Sequence, residues 1–307
     1  MKKRKQHYVW RYYLKPWTTQ DKLFCLRNNT VFEASLESVA NERDFYRVAE
    51  LSKEEIDFIK TVVIEPSATP FQSLHIDLIN TFQFPHELRR YTQLVGSKVP
   101  ATEKMIEEAV NNLQEDFHGR IEADSIAYLD FIKAGNTKFF DTKDGCLGFA
   151  YFLCVQYTRT KRMKVRLLAG VTPIENVNLE KVWGVLSHII ATNVGGSIFV
   201  DRAKYRLVLL DNCSENQFIT GDQPVVNIFA TGDPKNPPQQ LELYYPVSPT
   251  KAVLLTERQE YQNEQRRSVG RVEITYYNEQ ILKNRHEQMY AASREALEDY
   301  LHTSAYA

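Results

Sequence analysis

The chain lacks the short motifs that announce the common enzyme classes. Gly-x-x-x-x-Gly-Lys-Ser/Thr and Gly-x-Gly-x-x-Gly are both absent, so the glycine-rich phosphate cradles of P-loop and dinucleotide-binding proteins have no sequence basis. Gly-x-Ser-x-Gly, which would place a nucleophilic serine on a sharp turn, is also missing. The seven histidines stand singly, with no His-Glu-x-x-His, and no Asp followed by Glu-x-Lys marks a metal-dependent nuclease. No metal site and no resident cofactor are therefore expected. The four cysteines (Cys25, Cys146, Cys154 and Cys213) form no Cys-x-x-Cys pair, which argues against a zinc knuckle or redox motif and for free thiols in a reducing cytoplasm. Charge of one sign is missing too: 38 basic against 39 acidic residues leave a net charge of -1, which argues against binding nucleic acid with the whole surface. No apolar run approaches the ~20 residues a membrane span needs. No secretory leader is read either, because Met1-Lys2-Lys3-Arg4-Lys5 is followed by aromatic and charged residues.

What the chain does have is core-forming material. Of its 307 residues, 43% are hydrophobic and 12% aromatic, enough to bury a large interior. With no repeat and no long polar linker, the reading is a single domain over residues 1–307.

Local patterns predict the elements. Leu23–Leu26 and Val31–Leu36 flank Asn28-Asn29 as a hairpin. Ser52-Lys53-Glu54-Glu55 is a capping box that opens a helix to about Val63, with Pro66 and Pro70 closing it. Helices are expected over Ala101–Phe117, Ala123–Lys133 and Asp144–Met163, and from Asn178 to just before Gly195-Gly196. Short β-rich segments follow: Ser197–Val200, Tyr205–Leu210, Phe218–Thr220, Val225–Phe229, Leu241–Val247 and Ala252–Leu255. A long closing helix is placed after Asn278 as its N-cap. The fold class that results is α+β: a helical layer from the middle of the chain packed on a mostly antiparallel sheet contributed by both ends.

A few polar residues stand out. Phe149, Phe152 and Leu153 form an apolar stripe that continues into Gln156 and Arg159. Such a guanidinium either ties down a carboxylate or receives an anionic ligand. The basic run Arg159, Lys161, Arg162, Lys164 and Arg166 is either a solvated helix end favoured by the C-terminal dipole or a phosphate contact. His7 is a candidate general acid or base, or a half-buried packing residue. Asp222, after Phe218-Ile219-Thr220-Gly221, sits at a strand end, where a carboxylate faces a cleft or bonds local backbone.

Together, His7-Tyr8-Val9, Tyr13-Leu14, Asp44-Phe45-Tyr46, Gln156-x-x-Arg159, Trp183, Phe218-Ile219-Thr220-Gly221-Asp222-x-Pro224, Pro246-x-Ser248-Pro249 and Asn278 occur in an order that resembles the DUF4238 family over nearly the whole chain. The family usually has Pro where Trp10 stands and Ser where Gly221 stands. The resemblance implies that His7, Gln156, Arg159, Asp222 and Asn278 share one site. It also implies a bacterial accessory role in defence or as a toxin; an antitoxin or other partner protein is the partner that the toxin reading would call for.

The leading functional expectation is an enzyme acting on a nucleotide or on nucleic acid without a built-in metal, serving as a growth-arresting or antiviral effector. His7 would move the proton, Asp222 would orient it, Arg159 would stabilise phosphate charge, and Gln156 and Asn278 would position the ligand. A second reading is ADP-ribosyl transfer from NAD, with Gln240-Leu241-Glu242 resembling the glutamate motif of some ADP-ribosyltransferases and Glu242 holding the ligand. A third is a non-enzymatic module that senses an anion or nucleotide or binds a partner.

Overall fold

The computed structural model describes residues 1–301 except 97, 98, 232, 234 and 237. Its N-terminal part is extended: β1 (Lys5–His7), a short α1 (Arg11–Leu14), β2 (Lys22–Arg27), β3 (Thr30–Ser35) and β4 (Asn41–Arg43). The β2–β3 hairpin turns at Asn28 and Asn29, both left-handed at φ 50 and 57°, which asparagine tolerates and a two-residue hairpin requires. β4 folds back on β1 as an antiparallel pair.

The helical layer begins where the capping box predicts. The Ser52 side chain accepts from the Glu55 amide at 3.2 Å, and the Glu55 carboxylate accepts from the Ser52 amide at 2.7 Å. α2 (Lys53–Phe58) runs on as a π-type helix over Ile59–Ile64. The next helix, α3 (Thr69–Leu94), was not anticipated. Pro70 lies in its first turn, where a missing N–H costs nothing, so the proline that ends one helix opens another. α4 (Pro100–Lys133) is one helix where two were expected. The segment read as a single helix over Asp144–Met163 is two: α5 (Lys143–Thr158) and α6 (Lys161–Gly170), with Thr160 capping α6 at the Met163 amide. The basic run is consequently split: Arg159 is the C-cap of α5, where the dipole favours a cation, whereas Lys161, Arg162 and Lys164 open α6, where it disfavours them.

α7 (Leu179–Val200) starts at Asn178 as predicted but runs straight through Gly195-Gly196, and the strand expected at Ser197–Val200 is its last turn. The glycines let neighbours in. A Cβ on Gly195 would lie 3.2 Å from the Tyr151 backbone of α5, and one on Gly196 would run into the Phe71 ring of α3. By length and composition α7 could cross a membrane, but 61% of its most apolar window is buried inside the fold.

The last third supplies β5 (Arg206–Asn212), β6 (Thr220–Gly221), β7 (Val226–Asn227), β8 (Leu243–Ser248), β9 (Lys251–Thr256) and β10 (Arg266–Val269). They are followed by α8 (Arg271–Asn284), β11 (Met289–Ala291) and α9 (Glu295–Glu298). A five-stranded sheet has the order β10-β5-β9-β8-β7, antiparallel except for β10 on β5. A four-stranded sheet, β3-β2-β11-β6, joins both ends of the chain. The architecture is α+β. The closing helix is shorter than expected and begins at Arg271. Asn278 is not its N-cap but a buried residue in its middle, and the chain turns into β11 soon after. The helical layer meets the larger sheet through aromatic packing. The Phe152 ring of α5 lies edge-on to Tyr245 of β8 at 6.3 Å, and Tyr13 stacks on the same Tyr245 at 4.8 Å.

Candidate functional site

β1 sets the site by strand alternation. Gln6 points inward, where its amide donates to the Asn111 carbonyl at 2.8 Å and accepts from the Tyr46 amide at 2.5 Å. Lys5 and His7, one residue to either side, take the opposite face. They open onto a cleft of about 1010 Å³ between the N-terminal segment and α4. Its floor is His7, Glu115 and Glu122, the two glutamates spaced seven residues apart and hence on one face of α4. Its mouth carries Lys3, Arg4, Lys5, Arg11 and Lys15, with Trp10 and Tyr12 as an aromatic wall whose ring centroids lie 4.9 Å apart. Lys3 pairs with Asp116 at 2.6 Å, Arg4 with Asp44 at 2.7 Å and Arg11 with Glu37 at 3.5 Å. Lys5 and Lys15 have no ion pair among the described residues.

The floor groups are electrostatically unusual. Burial, then Arg11 and Lys5, pushes the His7 imidazole down to about 4, against backbone hydrogen bonding at Glu37 and Leu36. His7 is thus neutral at physiological pH, and its Nε2 is buried without a hydrogen-bond partner among the described residues. Burial pushes Glu115 up, with Arg159 opposing and Glu122 adding to the shift. One Glu115 oxygen, Oε2, is likewise buried and unpartnered among the described residues. Burial also pushes Glu122 up, against the Arg159 guanidinium.

Arg159 lies behind this floor. It is 2% exposed and engaged on every side: Nη1 to Glu122 at 2.6 Å, Nε to the Tyr46 hydroxyl at 3.0 Å and Nη2 to the His7 carbonyl at 2.7 Å. It therefore meets His7 through the backbone and holds Glu122, and it does not present itself to a ligand. Gln156, one turn earlier on α5, is 2% exposed, and its Nε2 has no partner among the described residues.

Asp222 is not at this cleft. It is 1% exposed, and its carboxylate accepts three backbone N–H groups, from His286 at 2.7 Å, Glu287 at 2.7 Å and Gln288 at 2.8 Å. Burial pushes this carboxyl up and those donors oppose it. Asp222 thus clamps the turn between α8 and β11, so a role orienting His7 is not what the structure gives it. Asn278 clamps a second strand approach, accepting from the Ile219 amide at 3.1 Å and donating to the Gln217 carbonyl at 2.9 Å. Gly221 is needed where it stands, since a Cβ there would sit 2.9 Å from the Gln288 carbonyl. A side chain at this position would meet the turn that leads into β11 and the end of α8.

The Gln-x-Glu pair does not form a shared site. Gln240 is exposed, whereas the buried Glu242 accepts from the Thr256 hydroxyl at 2.5 Å and lies 3.4 Å from Arg258. Among the described residues no group of three or more His, Cys, Asp and Glu is arranged to hold a metal ion. All four cysteines are free. Of the residues singled out in the sequence, then, the structure brings His7, Arg159 and Gln156 to one region and leaves Asp222, Asn278 and Glu242 elsewhere. Glu115 and Glu122 were missed. On a long helix rich in acids nothing in the sequence separates these two from solvated ones.

Comparison with known proteins bears on identity only. No curated protein and no solved structure matches the chain. A family model described as "Protein of unknown function (DUF4238)" matches residues 5–295, and the chain belongs to that family.

Proposed function

We propose that this protein is an enzyme that binds a nucleotide unit in the cleft between β1 and α4 and acts on it by proton transfer. One observation carries the reading: a neutral imidazole and a carboxyl of raised proton affinity, each with an unpartnered buried atom, face one open cleft. Groups whose environments drive their proton affinities in opposite directions are the usual basis of an acid–base pair. Glu115, whose proton affinity burial raises, serves as general acid. His7, free of its proton, accepts one from the attacking group. Arg159 is a positioning residue, fixing the His7 backbone and Glu122. The cations at the mouth meet phosphate, and Trp10 and Tyr12 offer faces on which a base stacks. The cytoplasm, with reduced thiols, is the setting this reading assumes.

The test measures hydrolysis of a panel of nucleotides and short oligonucleotides, together with growth arrest of a bacterial host on induction. Glu115→Gln and His7→Gln should each cut turnover by about 10²–10⁴-fold, the usual weight of a positioned acid or base. Lys15→Gln should weaken substrate binding and leave kcat unchanged. Folded variants at position 115 and at position 7 that both turn over like the parent would sink the reading. The anion-sensing alternative draws on the same cleft, because a His7 that stays neutral down to about pH 4 is a weak base. A ligand-dependent rise in Tm with no turnover by any variant would favour it.

A further inference from the structure

A second cavity lies on the other side of Tyr46. It measures about 270 Å³, opens to solvent and is lined by the segment 44–49, Phe82 of α3, Gln114 of α4, Lys164 of α6 and the first turns of α7. Phe45 and Trp183 give it aromatic walls, and Phe82 closes its base. Lys164 and Lys181 stand at its edge. Asp44 also lines it, held in the left-handed region at φ 56°. One Asp44 oxygen, Oδ2, takes the Arg4 guanidinium at 2.7 Å. The other, Oδ1, is buried with no hydrogen-bond partner among the described residues. A buried acceptor atom left open is costly unless something donates to it.

We infer that this pocket is a binding site for a purine nucleoside monophosphate. Its volume falls below the ~300–1,000 Å³ typical of drug-sized ligands, which fits one ring system and not a dinucleotide. Aromatic walls select a planar ring. The open Asp44 oxygen selects a ring with an N–H donor at its edge, as the amino group of adenine or guanine provides. The two lysines select an anionic substituent. The site is distinct from the cleft yet joined to it, since Tyr46 lines the pocket and bonds Arg159, which lies behind the cleft floor. The inference does not need the cleft to be catalytic.

Calorimetric titration of the full chain with AMP and with GMP tests it, using ribose 5-phosphate as the probe without a base. At least one nucleotide should bind saturably, with ribose 5-phosphate at least tenfold weaker. Ala49→Trp, which fills the cavity, should abolish that binding. Asp44→Asn, which keeps a residue tolerant of the left-handed backbone, should weaken it about tenfold or more. Trp10→Ala, which removes a stacking face of the cleft, should leave the pocket's share of that binding in place. Saturation by neither nucleotide would overturn the inference. So would binding that survives both pocket variants, or binding that Trp10→Ala alone removes. That last result would assign the nucleotide to the cleft and leave the reading of the cleft intact.

Discussion

Two regions of the molecule treat their buried ionisable groups in opposite ways. Asp222 has both carboxylate oxygens answered by backbone N–H groups of one turn, and it is 1% exposed. The β1–α4 cleft presents ionisable groups whose buried atoms are not answered: Nε2 of His7 and Oε2 of Glu115. Arg159 stands between the two cases, buried and fully engaged, yet adjoining the cleft floor. A charge fully saturated by protein is spent on architecture. Buried polar atoms left without a protein partner beneath a cleft keep hydrogen-bonding capacity that the fold does not use. The distinction lies in hydrogen-bond accounting and not in residue type.

The sharpest test of that contrast is Asp222→Ala. It strands three buried backbone donors and should cost about 3–5 kcal/mol, read as a fall in the urea midpoint at unchanged m-value. A loss under about 1 kcal/mol would mean the turn does not depend on this carboxylate. Next in size is Arg159→Met, which leaves Glu122 buried without its partner and should cost about 3 kcal/mol. Adding Glu122→Gln should restore at least 1 kcal/mol of it, since the orphaned charge is then gone. Simple additivity in this double-mutant cycle would break the assignment of the pair.

Smaller effects come from the cleft and depend on pH. The His7 proton affinity is lower in the fold than its ordinary value of 6.5, so between about pH 4 and 6.5 the unfolded chain binds more protons and stability rises with pH. Glu115 is shifted the other way. The fold binds more protons than the unfolded chain once pH passes the ordinary carboxylate value of 4.5, so stability falls as pH climbs through the raised value. Histidine NMR titration should show His7 neutral down to about pH 4. Glu115→Gln should shallow the falling limb of stability, which Glu122 and Asp222 share, and His7→Asn should shallow the rising one, which His118 and His188 share. An imidazole titrating near 6.5 would equate this site with ordinary surface histidines. Smallest of all, Lys161→Ala breaks a surface pair with Glu42 at 3.0 Å and should change stability by no more than about 0.5 kcal/mol.

Much of the local structure was legible in residue order. The Ser52 capping box, the Asn28-Asn29 hairpin and the Asn178 cap are each decided by groups within three residues of one another, and all three formed. Errors gathered where distant packing overrules local preference. Pro70 and Gly195-Gly196 read as stops but lie inside helices, the first because a first turn tolerates proline, the second because α7 must approach α3 and α5 closely. Asn278 read as a cap because its side chain bonds backbone amides. It does so, but across space to Ile219.

The site divides along the same line. His7, Gln156 and Arg159 could be noticed in the sequence because each interrupts an aromatic or apolar stretch. Their roles could not, since those depend on partners 37 and 113 residues from Arg159, namely Glu122 and Tyr46. Asp222 could be noticed for the same reason and proved to be a clamp. Periodicity and capping thus determined the starts of α2 and α7, the β2–β3 hairpin and the α+β class from sequence alone, because their energetics act within a few residues. Which charges are saturated and which stay open was settled only when segments from both ends of the chain converged, because desolvation and long-range hydrogen bonding exist only in the packed fold.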